Sequence, residues 1–409
     1  MAESTAFRTL DGRSAGSWLV LFGFLGLAAI GAATAMYIDH FGHIVTGMND
    51  QIVWGLPHVF AIFMILAASG ALNVASIGSV FGKVDYRPFG RLSGLVAFAL
   101  LAGGLTVLVL DLGRSDRLIT FVTHLNLTSV FALNVFLYSG FFGFVFLYLW
   151  AMLDTTGTIS RAYKPVAFAA FVWRLMLTTG TGSIFGFRVS RSAFHSTIIA
   201  PMFIALSLSF GLAAWTLVML CTRDESADGQ PTPQLLKRLR ILLATLATVS
   251  LYFVAIHFLT DFYTADRRDL ARFMAVGGGV YTLLLWGGFV FAGSVVPVAL
   301  ALIPWRTVSQ TRRALGWASA LIVIGGHCFL YAFIIGGEAF PIEMFPGMKV
   351  SSSFYDGVVA NYTPRLTELL LGIGGIGVAG LVITVGLWAL PMLPGRLEVA
   401  PASSSGGNS

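Results

Sequence analysis

Charge is scarce in this sequence. Only 11% of its 409 residues are Asp, Glu, Lys or Arg, while 56% are hydrophobic. Soluble domains carry roughly a quarter charged residues. The charges are also clustered, leaving long uncharged stretches between them, and about 20 apolar residues are what a helix needs to cross the hydrocarbon layer. A soluble class is thereby excluded. A closed β-barrel, the other way to satisfy backbone groups in lipid, needs short alternating strands; the apolar runs here are long and unbroken. Cysteine is scarcer still. Cys221 and Cys328 stand far apart in apolar surroundings, cannot supply the four thiolates of an iron–sulfur cluster, and imply no disulfide framework. The net charge of +6 is spread in short basic clusters between apolar runs, as membrane orientation signals are, which argues against nucleic acid as a partner.

Ten spans are expected, at 18–38, 57–81, 92–110, 129–153, 166–187, 197–221, 239–260, 280–303, 315–336 and 366–390, giving an all-α polytopic bundle. The fifth is the least regular, because it carries Arg174 and a run of Thr and Gly. With the N-terminus inside, 15 of the 25 Lys and Arg fall on inner segments and 9 on outer loops, Arg174 being the remaining one. That bias places both termini in the cytoplasm. The expected organisation is a cytoplasmic tail over 1–17, without a cleavable signal pattern, a transmembrane domain over 18–392, and a disordered cytoplasmic tail over 393–409 with a Gly/Ser-rich end. No loop is long enough to be a soluble domain, and no internal repeat is evident.

All seven histidines fall in the outer half of this arrangement. His58 opens the second span, His257 lies near the outer end of the seventh, and His327 is near the middle of the ninth. Ionisable groups inside a bundle usually mark proton, ion or ligand paths. A neutral His or a protonated carboxyl can pass protons to a reducible carbonyl compound. Asp261 follows His257 at i,i+4, on one helix face; the pair is either functional or an interfacial polar cluster. His327 has a helix–helix hydrogen bond as its plainest role. Arg174 either snorkels to the inner surface or lines a polar passage such as a proton path. The hydroxyls and glycines from Thr178 to Ser183 suit close helix packing or a polar cavity. Asp111, Arg114, Asp116 and Arg117 form either a self-paired outer loop or a docking surface, and Glu338 and Glu343 form a second acidic outer loop. Only one histidine lies well inside a span, so no haem is expected, and no metal.

Particular stretches resemble the NrfD-like family, the membrane subunits of polysulfide reductases. They are Gly42-His43 to Asn49, Trp54-Gly55-Leu56-Pro57-His58, Ala67 to Asn73, Asp111 to Arg117, and Trp173 to Phe187. The ten-span length is similar to the longer branch, that of the DsrP membrane subunit of the DsrMKJOP complex of sulfur metabolism. Ser115 stands where family members often have Pro, a departure confined to a loop. The resemblance implies a quinone-binding subunit, for menaquinone or ubiquinone, with no haem and no iron–sulfur cluster of its own and not catalytic alone. It implies a ferredoxin-like iron–sulfur subunit on the outer face. For the DsrP type it further implies a triheme cytochrome, a haem-b membrane subunit and a cytoplasmic iron–sulfur subunit, in a bacterial cytoplasmic membrane. His58 occupies the place of the family's polar contact to the quinone head, with Trp54 beside it. The outer end of the fifth span, Thr178 to Thr181, also contributes. The competing class is a secondary transporter, or a proton-translocating subunit without its own redox site. Transporters tend to show interrupted spans in matched positions, and no such pair is apparent.

Overall fold

The computed structural model describes residues 5–124, 126, 128–222, 232–342 and 357–397. Among these described residues there are ten long helices: α1 (Ala15–Phe41), α2 (Leu56–Ser79), α3 (Gly90–Leu110), α4 (Val130–Leu153), α5 (Tyr163–Gly186), α6 (Ile199–Cys221), α7 (Pro233–Tyr263), α8 (Val280–Leu302), α9 (Val308–Ala339) and α10 (Leu366–Ala389). Nine of these are long and apolar enough to cross a membrane. The exception is α5, the span expected to be least regular. It is a full 24-residue helix whose Arg174 and Thr/Gly run dilute its hydropathy.

Local chemistry sets the helix ends. Ser14 caps α1 by accepting from the Ser17 amide, and Thr232 caps α7 just before Pro233. Thr307 and Gln310 form a reciprocal capping box on α9, which satisfies amides that a helix start leaves orphaned. Residues 332–336 of α9 and much of α8 are wound as π-helix, a geometry frequent at functional sites.

The helices form two groups of four, α2–α5 and α6–α9, joined where α2 meets α6 and α9 and where α5 meets α6; α10 packs against α2 and α3, and α1 packs on α10. Helix α2 is the most enclosed and α1 the least. Helices in lipid associate through close packing of small residues rather than through the hydrophobic effect. Here Gly31 of α1 meets Gly374 of α10 so closely that a Cβ on Gly31 would stand 2.5 Å from the Gly374 Cα.

Outside the helices, strand β1 (Thr5–Arg8) pairs antiparallel with β2 (Leu393–Leu397). The Arg91 guanidinium braces this clasp, donating to the Pro391 and Met152 carbonyls and lying over the Phe7 ring. Residues 393–397, expected to belong to a disordered tail, are instead ordered by strand pairing; 398–409 lie outside the described residues. Both strands therefore share one face. An even number of crossings is needed for that, so α5 counts as the tenth. The opposite face is the distal one.

Candidate functional site

The distal face is built from segments that buried charges pin together. Glu368, on the first turn of α10 and fully buried, accepts from the amides of Gly47 (2.9 Å) and Arg365 (2.8 Å) and from the Tyr362 hydroxyl (2.6 Å). Tyr362 in turn accepts from the Leu56 amide at the start of α2 (2.7 Å). Burial, reinforced by the adjacent Glu368 carboxylate, pushes the Tyr362 phenol far above its ordinary pKa, so it stays a donor. This network fixes the segment that delivers Trp54 and His58.

The His58 ring meets Asp111, at the end of α3, with Nδ1 3.0 Å from Oδ2; the carboxylate is 1% exposed and the imidazole 18%. The pair separates two hollows. On its distal side lies an open hollow of about 370 Å³ that also takes in His43, Met48 and Asp50. On the other side is an apolar slot of about 530 Å³ between α2, α3, α4 and α5, with Trp54, His58, Leu108, Phe131, Ile184 and Phe185 among its walls. Arg114 and Arg117 stand at its edge. An apolar pocket with few convergent polar groups is the usual form of a small-molecule site.

Two polar residues absent from the sequence-based candidates, Asn134 and Tyr138 of α4, also line the slot. The Asn134 amide donates to the Val130 and Gly180 carbonyls, and its buried Oδ1 has no hydrogen-bond partner. The Tyr138 hydroxyl lies 3.5 Å from Thr181 Oγ1. The available signal was Asn134 itself, a lone amide in an otherwise apolar stretch, where polar groups tend to be functional.

The remaining expected site residues scatter around the slot. Thr181 backs Tyr138, whereas Thr178 turns to the Arg174 and Leu175 carbonyls of its own helix. Arg174 does not snorkel. It is 3% exposed and donates to Asn73 Oδ1 of α2 at 2.7 Å, with Nε and Nη1 buried and without hydrogen-bond partners. His257 and Asp261 do share one face of α7, at 3.6 Å, and Arg267 closes over Asp261 at 3.5 Å. The pair lies away from the slot, behind Phe333, which packs on Phe185. His327 stacks on Phe63, and its Nδ1 lies 2.8 Å from the Val323 carbonyl of its own helix rather than bonding across helices.

The docking expectations divide. Asp111 is held by His58. Glu338 is fully buried, because α9 continues through it and its carboxylate is taken by Arg188 at 2.8 Å and the Trp54 amide at 2.9 Å. Neither side chain presents charge to a partner. Glu343 and the Asp116 side chain lie outside the described residues. Among the described residues, no group of three or more His, Cys, Asp or Glu could hold a metal ion.

A bundle of apolar helices, with an apolar slot closed by a His–Asp pair near one end, defines a multi-pass membrane protein with a candidate site for a lipophilic ligand. Residues 44–342 match the family described as Polysulphide reductase, NrfD, and the protein belongs to that family. It is similar to the Hdr-like menaquinol oxidoreductase integral membrane subunit of Archaeoglobus fulgidus, with 26% identity over 95% of this sequence and 97% of the relative. A selenate reductase subunit of Mesobacillus selenatarsenatis is 22% identical, over 92% and 95%. A polysulfide reductase chain of Wolinella succinogenes is 21% identical, over 71% and 96%.

Proposed function

We propose that this protein is the quinone-reactive membrane subunit of a respiratory complex of sulfur metabolism, of the DsrP type. It passes electrons between the quinone pool and an iron–sulfur subunit docked on the distal face, which is the outer face of a bacterial cytoplasmic membrane. The observation that carries this reading is the slot. Its length of apolar wall suits an isoprenoid quinone, the unmatched Asn134 oxygen suits a quinol hydroxyl, and the His58–Asp111 pair stands between it and an open distal hollow.

A bound quinone supplies two-electron, two-proton chemistry. The protein's own residues hold the ring and handle protons. The Asp111 carboxylate faces the His58 imidazole at Nδ1, which leaves Nε2 as the ring nitrogen to exchange a proton with a quinol oxygen. The hollow beyond gives that proton an exit to the distal face. Asn134 and Tyr138 fix the opposite side of the head group. Arg114 and Arg117 at the slot edge, near the short helix Leu118–Thr123, belong to the surface a partner would cover. The wider partners, a triheme cytochrome, a haem-b membrane subunit and a cytoplasmic iron–sulfur subunit, follow from the DsrP resemblance; the menaquinol named for the Archaeoglobus relative favours menaquinone. Arg174 and Asn73, on the side of the termini, are assigned to a proton path from the cytoplasm, and the buried His257–Asp261 pair to proton transfer outside the slot.

The test is direct. Solvent extraction of the purified protein should release quinone. Both His58→Ala and Asp111→Asn in the complex should lower quinol oxidation by about 10²-fold, the loss expected when a positioned acid–base group is removed. Unchanged turnover in both variants would sink the site assignment.

A further inference from the structure

Glu338 commits a fully buried charge to a task that backbone capping alone does not require. Burying a carboxylate is tolerable only with excellent pairing, and both carboxylate oxygens of this residue are engaged. Oε1 takes the Arg188 guanidinium (2.8 Å), Oε2 takes the Trp54 amide (2.9 Å), and the main-chain carbonyl takes Arg191 (2.8 Å), which also reaches the Gln51 carbonyl (2.6 Å). Arg188, so held, lies over the Trp54 ring at 4.4 Å. Trp54 is a wall of the slot and stands beside His58, their planes inclined by 25°.

The delivery of Glu338 is also specific. The π-wound turn at residues 332–336 precedes it, and at Gly336 and Gly337 the backbone runs close against its neighbours. A Cβ on Gly336 would lie 3.0 Å from Met274 Sδ, and one on Gly337 2.9 Å from the Phe194 ring. Three segments distant in sequence thus meet at one carboxylate, and the side chain they jointly fix is Trp54.

We propose that Glu338 is a positioning residue for the slot. Through the Trp54 amide and the Arg188 guanidinium it sets the place of the Trp54 ring, and thereby the fit of a quinol head group against His58. This rests on the slot being the quinone site. The role is one of affinity, so it separates from proton handling. Removing the clamp raises KM and leaves kcat largely intact, whereas removing His58 lowers kcat.

The experiment uses the full-length protein in lipid nanodiscs, with the fluorescent quinol analogue 2-heptyl-4-hydroxyquinoline N-oxide as probe, and the assembled complex for turnover. Glu338→Gln should weaken probe binding about tenfold and raise the quinol KM similarly, with melting close to wild type. In a Trp54→Ala background the same substitution should add nothing, because residues acting through one another are non-additive. Arg188→Lys keeps the ion pair but not the planar cover; it should weaken binding several-fold and serves if Glu338→Gln does not fold. Wild-type affinity in both Glu338→Gln and Arg188→Lys, or full additivity with Trp54→Ala, overturns the proposal. If instead the wild-type protein does not bind the probe, or His58→Ala leaves both binding and turnover unchanged, the quinone reading itself fails.

Discussion

Glu368 shows how much of the distal face hangs on single side chains. Its carboxylate accepts three donors, the Gly47 and Arg365 amides and the Tyr362 hydroxyl. A buried donor left unsatisfied costs roughly 1–3 kcal/mol. Glu368→Ala should therefore lose about 3 kcal/mol or more by the same measure, read as a lower melting temperature in detergent, and Glu368→Gln, which keeps an acceptor, clearly less; equal losses would show that the network does not act through acceptance. At the other face Asp154 works in the same way in water. It accepts from the Thr156 hydroxyl and from the Thr156, Ile159 and Ser160 amides, first the hydroxyl and then these amides holding its pKa well below the usual carboxylate value. A depressed carboxylate stabilises fully above its unfolded pKa and progressively less as pH falls towards its folded one. The melting advantage of wild type over Asp154→Asn should thus be flat from about pH 7 to 5 and shrink below about pH 4; an advantage that grows on acidification would contradict this sign.

Among the elements, the pair α2 and α6 is the broadest contact between the two four-helix groups, and it depends on the absence of side chains. A Cβ on Gly70 would run into the Ser207 carbonyl and stand 3.0 Å from the Gly211 Cα, and one on Gly211 would strike the Gly70 backbone. Overpacking a well-filled interior costs about 1–3 kcal/mol, and a backbone collision cannot be relieved by a rotamer change. Gly211→Val should therefore reduce folded yield and lower the melting temperature, while Gly143→Ala, where a Cβ meets nothing within 4 Å, should be neutral or slightly stabilising. Equal behaviour of the two would mean the joint is looser than the packing indicates. Elements of this kind were the legible part of the sequence. Apolar run length placed every long helix, since the bilayer leaves so few alternatives, and the irregular fifth span was marked by its own Arg174. The extensions were less legible. Helix α9 runs on through Glu338, and a Gly-Gly-Glu stretch after an apolar run reads as a loop when the ion pair that stabilises it comes from Arg188, 150 residues away. The site was half legible for the same reason. His58 and Trp54 sit near one another in sequence, but Asp111, Asn134 and Tyr138 join them only through helix packing.

For the molecule as a whole, the clasp of β1 with β2 ties the helix count to the topology. Strands from opposite sides of a bilayer cannot pair, so the pairing of residues 5–8 with 393–397 requires an even number of crossings and makes α5 a membrane helix despite its buried Arg174. The register sets Phe7 opposite Pro394. A variant in which Cys221 and Cys328 are replaced by Ser, and Phe7 and Pro394 by Cys, should form an intramolecular disulfide on mild oxidation, because directly paired strand positions bring Cα atoms within about 4.5–5.5 Å. From the Lys/Arg asymmetry that face is expected to be cytoplasmic. In the reduced form of this variant, a membrane-impermeant maleimide should therefore label the two introduced thiols in inverted vesicles and not in intact cells. Cross-linking with labelling from outside would keep the ten crossings and invert the orientation, placing the slot and the proposed electron-transfer partner on the cytoplasmic side. Failure to cross-link, with a maleimide reaching the two thiols from opposite sides, would remove α5 from the membrane and leave nine crossings.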